Sequence, residues 1–209
     1  MYNCIFSGHC TNLSCDKSCP TLAESTYLLD RNHIPMSSDV FNAPPDKLNK
    51  YIKLLEQADG NQHTLITNDA VRAAELLTYC SICQNWKGSR LHCTVYNLKF
   101  SQYVEAIQNS WSSKVETEQL EYMKIWASSA KVLIISNIDY VNFRDFQCQT
   151  LLTLLQTRAS SEYTTVIVSP PTTMLVGEGQ FFQRLCVLLS AEGKKTDDTS
   201  EQQKGGNIR

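Results

Sequence analysis

The chain has 209 residues, of which 42% are hydrophobic, and a formal net charge of −2. This length predicts one domain of ordinary size, and this composition can bury a full core without disulfides. The near-neutral charge excludes a global basic field for nucleic acid, so any such contact needs a local patch. The apolar runs are strand-sized, far below the ~18 residues that cross a bilayer. The start, MYNCIFSGHC, lacks the pattern of an export signal, and we therefore expect a cytoplasmic protein.

A cysteine-dense head opens the chain, with thiols at Cys4, Cys10, Cys15 and Cys19. In a reducing compartment, clustered thiols favour a metal over disulfides. Four thiolates can surround Zn²⁺ as a tetrahedron and would fold a segment too short to fold alone. An iron–sulfur cluster uses the same ligands, and a reduced cysteine tail needs no metal. We favour zinc and keep both alternatives.

The elements after the head alternate between helix and strand. A helix at 21–34 and a proline-rich linker at 35–47 divide a head region, 1–38, from a main domain, 39–190. Within that domain the hydrophobic periodicity predicts helices at 47–58, 69–86, 99–111, 115–129, 143–159 and 179–190, and strands at 64–67, 90–98, 131–141 and 164–170. This alternation predicts an α/β fold, with a parallel sheet covered by helices on both faces. The polar tail, 191–209, is predicted to be disordered.

A resemblance to a known family rests mainly on the string SAKVLIISNIDYVNFRDFQCQTLLTLLQTRASSEYTTVIVSPP. It contains an apolar strand, a helix of the form LL.LLQ.R and a second buried strand. This order resembles the AAA+ core of bacterial replicative helicase loaders of the DnaC/IstB type, over roughly Asp39 to Leu189. The resemblance implies a three-layer, P-loop-like core. It also places the acidic pair of the Walker B motif at Ser136 and Asn137. Neither residue is acidic, so the pair is missing, and Asp139 lies two residues after Asn137.

The stretch TLITNDAVRAAELL occupies the place where that family holds its phosphate loop. A P-loop reads G-x-x-x-x-G-K-[ST], in which glycines free backbone N–H groups for the phosphates and the lysine contacts the β and γ oxygens. Asn68 and Asp69 stand at this degenerate Walker A position, with no glycine and no lysine. A carboxylate at a helix N-terminus takes the electrostatic place of a phosphate and repels ATP. We therefore expect neither ATP binding nor ATP hydrolysis.

Two further sites are weaker candidates. The resemblance implies that Arg184, in the closing helix, is an intersubunit arginine, which is compatible with an oligomer. Trp86, Lys87 and Arg90 form a basic and aromatic neighbourhood that could contact single-stranded nucleic acid, although a solvated loop explains it better. The cysteines at 80, 83, 148 and 186 are interpreted as small apolar residues that pack helices, although Cys80 and Cys83 share a helix face and could instead bind a metal.

The function that the resemblance implies is that of a DNA replication protein that acts by binding. Its partner would be a replicative helicase or another replication protein, with single-stranded DNA secondary, no membrane, and the metal-binding head as the docking module. A reduced loader of this kind suits a phage or mobile element. The alternatives are a divergent ATPase that uses Asp139 and Arg184, and an iron–sulfur or zinc regulatory protein.

Overall fold

A computed structural model describes residues 20–35, 38–87, 94–113, 117–191 and 193–195. The α-helices are Pro20–Arg31 (α1), Pro45–Gln57 (α2), Ala70–Lys87 (α3), Phe100–Ser113 (α4), Glu118–Ser129 (α5), Asp145–Ala159 (α6) and Gln180–Ala191 (α7). The strands are Gln62–Ile66 (β1), Val95–Lys99 (β2), Val132–Ser136 (β3), Asn142–Phe143 (β4), Thr164–Ser169 (β5), Val176–Gly177 (β6) and Gly193–Lys195 (β7).

The main sheet has the order β2-β3-β5-β1-β7, and every neighbouring pair in it is parallel. A separate, two-residue parallel pair joins β4 to β6. The predicted α/β fold with a parallel sheet and covering helices is confirmed. Because β5 is inserted between β1 and β3, the strand order is consistent with a P-loop or AAA+-like fold.

Helices cover both faces of the sheet and create two apolar cores. On one face Leu65, Ile134 and Val166 pack with residues of α1, α2 and α3. On the other face Leu133, Ile135 and Ile167 pack with residues of α4 to α7. Successive strand residues point to opposite faces, so a strand that is covered on both sides must be apolar at every position. This requirement explains the uninterrupted apolar runs of β3 and β5.

The end of β3 and the tail differ from the prediction, and the short strands β4 and β6 were not predicted. The strand expected over 131–141 ends at Ser136, because Asn137 adopts a left-handed conformation with φ of 57° and a 3₁₀ turn, Ile138–Tyr140, follows. Within the tail expected to be disordered over 191–209, residue 191 ends α7 and Gly193–Lys195 form β7, which pairs with Thr64–Ile66 of β1. The parallel ladder satisfies the backbone groups of these residues, which have no apolar pattern of their own.

The residues just before the predicted boundary between 38 and 39 pack into the main domain. Leu29 and Ile34 are 1% and 2% exposed and belong to the same core as α3. The cysteine-rich part of the predicted head, 1–19, lies outside the described residues, and the boundary stays a prediction. None of the described helices is both long and apolar enough to span a bilayer.

Asn32 attaches the end of α1 to the outer edge of the sheet. Its side-chain oxygen accepts a hydrogen bond from the backbone N–H of Asn97 at 2.6 Å. Its side-chain nitrogen donates to the carbonyl oxygens of Leu28 at 2.7 Å and Val95 at 3.3 Å. The amide thus pairs with one N–H and one C=O of edge strand β2, as a neighbouring strand would. Asn32 is 1% exposed, so these bonds are shielded from water.

Replacing Asn32 with alanine is expected to lower the free energy of unfolding by about 2 kcal/mol, because polar backbone groups of β2 become buried without partners. Urea denaturation measures this loss, and hydrogen exchange should show faster exchange at the amide of Asn97. Asn109→Ala, at an exposed position of α4, is the matched control and should change stability by less than about 0.5 kcal/mol. Equal effects of the two substitutions would contradict the role of Asn32.

Candidate functional site

The turn between β1 and α3, where the resemblance places a phosphate loop, is short and internally bonded. It consists of Thr67, Asn68 and Asp69. The Asp69 carboxylate accepts a hydrogen bond from the backbone N–H of Arg72 at 3.0 Å, which makes Asp69 the N-cap of α3. The Thr67 hydroxyl accepts from the N–H of Asp69 at 3.3 Å. The N–H of Thr67 donates to Ser169 O at 2.9 Å and so extends the ladder between β1 and β5 into the turn.

These bonds determine what the turn can do chemically. A phosphate loop binds its ligand through a series of free backbone N–H groups that point at the phosphate oxygens. Here the N–H groups of Thr67, Asp69 and Arg72 already have protein acceptors. An exposed carboxylate also takes the positive end of the α3 dipole. A triphosphate would therefore meet like charge, and these three donors are already occupied.

Replacing Asp69 with alanine is expected to cost about 1 kcal/mol of stability, because an orphan N–H in the first turn of α3 loses its acceptor. Thermal unfolding measures the effect. Asp59→Ala removes another exposed aspartate, one whose side chain has no capping role in the structure, and should leave the melting temperature nearly unchanged. A loss for Asp59→Ala as large as for Asp69→Ala would argue against the cap.

The end of β3, where the acidic pair of the Walker B motif would stand, is a buried polar contact. The Ser136 hydroxyl donates to the side-chain oxygen of Asn97, on β2, at 2.7 Å. Ser136 and Asn97 are 2% and 6% exposed. Asn137 is half-buried in its left-handed conformation, and Asp139 is exposed on the 3₁₀ turn that follows. The hydroxyl of Ser136 is therefore used in a bond to the neighbouring strand β2 and is not available to a ligand at the carboxyl edge of the sheet.

The residues at the carboxyl ends of three adjacent strands come together along one edge of the sheet. They are Asn68 and Asp69 after β1, Ser169 at the end of β5, and Ser136 with Asn137 at the end of β3. Ligands of open parallel sheets bind at this edge, beside the point where the strand order reverses. Ser169 is fully buried, and its hydroxyl donates to Pro170 O at 2.7 Å.

Arg184 is not part of that edge. It is exposed on α7 and lines a groove between α6 and α7, which also includes Gln62 at the amino end of β1. Trp86 and Lys87 are the last two residues of α3, and Arg90 lies outside the described residues. The proposed metal ligands Cys4, Cys10, Cys15 and Cys19 lie outside them as well. Within the described ranges, no group of three or more His, Cys, Asp or Glu residues could hold a metal ion.

Cys80 and Cys148 are buried, as the packing interpretation predicted, and Cys186 is half-buried. Burial, the charge of Asp145 and the neighbouring Cys186 raise the pKa of the Cys148 thiol to about 11. Burial also raises the pKa of Cys186. Because the thiolate is the reactive form, both side chains are chemically quiet near neutral pH.

Besides Asn32, two further polar residues that organise the structure were not singled out in the sequence. Asn97 interrupts the apolar pattern of β2, which is a usable signal, because a polar residue inside a buried strand needs a partner. Arg158 is 1% exposed in α6, and its only signal was a charge on the core-facing side of a helix. Their partners lie on other elements, so the neighbouring residues in the sequence do not indicate them.

The fold and this edge define an α/β protein with a parallel sheet, consistent with a P-loop or AAA+-like fold, in which a short, capped turn follows the first strand. No protein-family model matches the chain, and no curated protein matches it. Among solved structures, the crystal structure of the DnaC helicase loader is similar with a TM-score of 0.45 and 10% sequence identity. That similarity covers 81% of this chain and 97% of the loader chain.

Proposed function

We propose that the protein is a loader-like replication protein that acts by binding a partner and does not hydrolyse ATP. The observation that carries this proposal is the closed turn from Thr67 to Asp69, in which a carboxylate caps the helix that would otherwise hold a phosphate. The partner class comes from the resemblance of the sequence to bacterial helicase loaders, namely a replicative helicase or another replication protein. Single-stranded DNA is a secondary ligand in the same proposal.

The buried contact between Ser136 and Asn97 supports the absence of hydrolysis. Phosphoryl transfer needs a magnesium ion held by oxygen ligands and a positioned attacking water. The side chain at Ser136 is shielded and already bonded, and Asp139 projects from a separate turn. A single exposed carboxylate without a phosphate-binding loop is not sufficient to hold magnesium and position the attacking water.

The cysteine-rich head completes the proposal as a docking module held together by zinc, with Cys4, Cys10, Cys15 and Cys19 as ligands. Elemental analysis of the purified full chain tests this part. One equivalent of zinc in a colourless protein supports it. A brown protein with iron and sulfide, or a metal-free protein, contradicts it.

Two measurements test the central claim. Isothermal titration of the full chain with ATP and magnesium should show no binding, and a phosphate-release assay should show no turnover. Surface-immobilised protein should bind the purified replicative helicase of its host with the same affinity in the presence and absence of ATP. Turnover that Asp139→Ala abolishes would favour the divergent ATPase instead, and failure to bind helicase would remove the proposed partner.

A further inference from the structure

The groove between α6 and α7 has a volume of about 1130 Å³. Leucines from both helices form its apolar floor: Leu152, Leu155 and Leu188. Val187 lies in the same groove and is 68% exposed, which is unusual for an aliphatic side chain that faces a leucine floor. This volume is larger than most small-molecule pockets, so a segment of polypeptide is a better fit than a metabolite.

The walls of the groove carry hydrogen-bonding groups that the described protein does not use. Gln149 and Gln156 lie on α6, and Gln183 and Arg184 lie on α7. The side chains of these four residues are exposed, and none of them has a hydrogen bond or ion pair with the described residues. Arg184 is the single charged residue among those that line the groove. The groove therefore combines an apolar floor, the amides of these three glutamines and of Gln180, and one positive charge.

The amide groups indicate the conformation of the occupant. Gln149 and Gln156 are seven positions apart, which places them on one face of α6, about 10.5 Å apart along the axis. A primary amide pairs with one C=O and one N–H, which an extended peptide offers and a helix keeps for itself. The amides therefore match an extended peptide better than a helical one.

We propose that this groove binds an extended peptide segment of a partner protein that carries an acidic side chain. The carboxylate pairs with Arg184, whose planar guanidinium suits a two-point contact. Alternate apolar side chains of the peptide rest on Leu152 and Leu188, and its backbone bonds to the glutamine amides. This inference rests on the proposed function, since it names the surface through which a binding protein takes up part of its partner.

A random peptide library displayed on phage and selected on the purified full chain tests the proposal. We expect the selected sequences to be enriched in Asp or Glu next to apolar residues. A fluorescein-labelled peptide from that selection should lose at least about tenfold in affinity with Arg184→Glu. The double substitution Gln149→Ala with Gln156→Ala should weaken it about as much, since both amides lose their backbone contacts. Lys53→Glu, an exposed charge reversal on α2 at the opposite face of the sheet, is the matched control and should leave affinity unchanged.

Several results would overturn the proposal. They are selected peptides without an acidic residue, peptides that bind Arg184→Glu as tightly as the native chain, and a bound peptide that circular dichroism shows to be helical. Self-association that Arg184→Glu abolishes would assign the groove to a second copy of the chain. These outcomes are separate from those of the proposed function. If Arg184→Glu leaves helicase binding unchanged, the peptide-binding role of the groove is wrong, but the proposed function stands. If the protein hydrolyses ATP and also binds the peptide, only the proposal that it does not hydrolyse ATP is wrong.

Discussion

Replacing Arg158 with methionine is expected to lower the free energy of unfolding by at least about 3 kcal/mol. The Arg158 guanidinium is buried and binds the last turn of α5 to the start of β5. It donates to five acceptors at 2.7 to 3.3 Å: Thr165 Oγ1, Thr164 O, Ala127 O, Ser128 O and Ala130 O. The carbonyls at the end of α5 have no partner within the helix, and a positive charge there also complements the helix dipole. Methionine fills similar space but donates no hydrogen bond, so these buried acceptors lose their partner.

Urea denaturation measures this effect, and Arg184→Met is the matched control. Arg184 is exposed and unpaired within the described residues, so its replacement should change stability by less than about 0.5 kcal/mol. Arg158→Lys should be intermediate, because lysine keeps the charge but loses the planar fork of donors. Burial lowers the pKa of Arg158 to about 10, and both this value and the unfolded one lie well above neutrality. Protonation of Arg158 therefore adds no pH dependence near pH 7. Similar losses for Arg158→Met and Arg184→Met would refute the role of the buried contacts.

Restoring the carboxylate of a Walker B motif by Ser136→Asp is expected to destabilise the fold by about 3 kcal/mol or more, and not to create a magnesium site. Ser136 is 2% exposed and faces the side-chain oxygen of Asn97 at 2.7 Å, so an ionised aspartate there would be buried beside an acceptor. Burial would raise the pKa of the new carboxyl group above its unfolded value of about 3.9. The deficit relative to the native chain should therefore grow as pH rises above that value and shrink as pH falls towards it.

Denaturation of Ser136→Asp at about pH 5 and about pH 8 measures both the loss and its sign. Asn137→Asp adds the same charge one residue away, at a half-buried position in a left-handed conformation that aspartate tolerates. This control should cost less than about 1 kcal/mol and show little dependence on pH. If Ser136→Asp were as stable as Asn137→Asp and bound magnesium, the end of β3 would be an open metal position after all.

The parts of the molecule that were predicted correctly depend on local patterns. The apolar runs of β3 and β5 identify strands buried on both faces, and the periodicity of α3 identifies a helix that packs on a sheet. The absence of glycine and lysine around Asp69, together with an N-cap residue at the start of a helical pattern, is likewise visible without coordinates. Each of these signals lies within one turn or one strand.

The parts that were missed depend on partners distant in sequence. Asn32 meets Asn97 across 65 positions, and Arg158 reaches the end of α5 across about 30. Nothing beside Asn32 or Arg158 indicates these contacts. The strand β7 was missed for the same reason. The residues Gly193–Lys195 have no apolar strand pattern, and they form a strand because they pair with β1.

The sequence by itself determined the class of fold, the position of the main strands and the lack of phosphate-loop residues after β1, because hydrophobic period and cap chemistry act over a few neighbouring residues. Only the tertiary structure decided that Ser136 is bonded to Asn97, that Arg184 lies in a groove away from the carboxyl edge, and that Arg158 binds the end of α5. Such contacts form when the sheet brings distant segments together, and a side chain finds its partner by position in space and not by spacing along the chain.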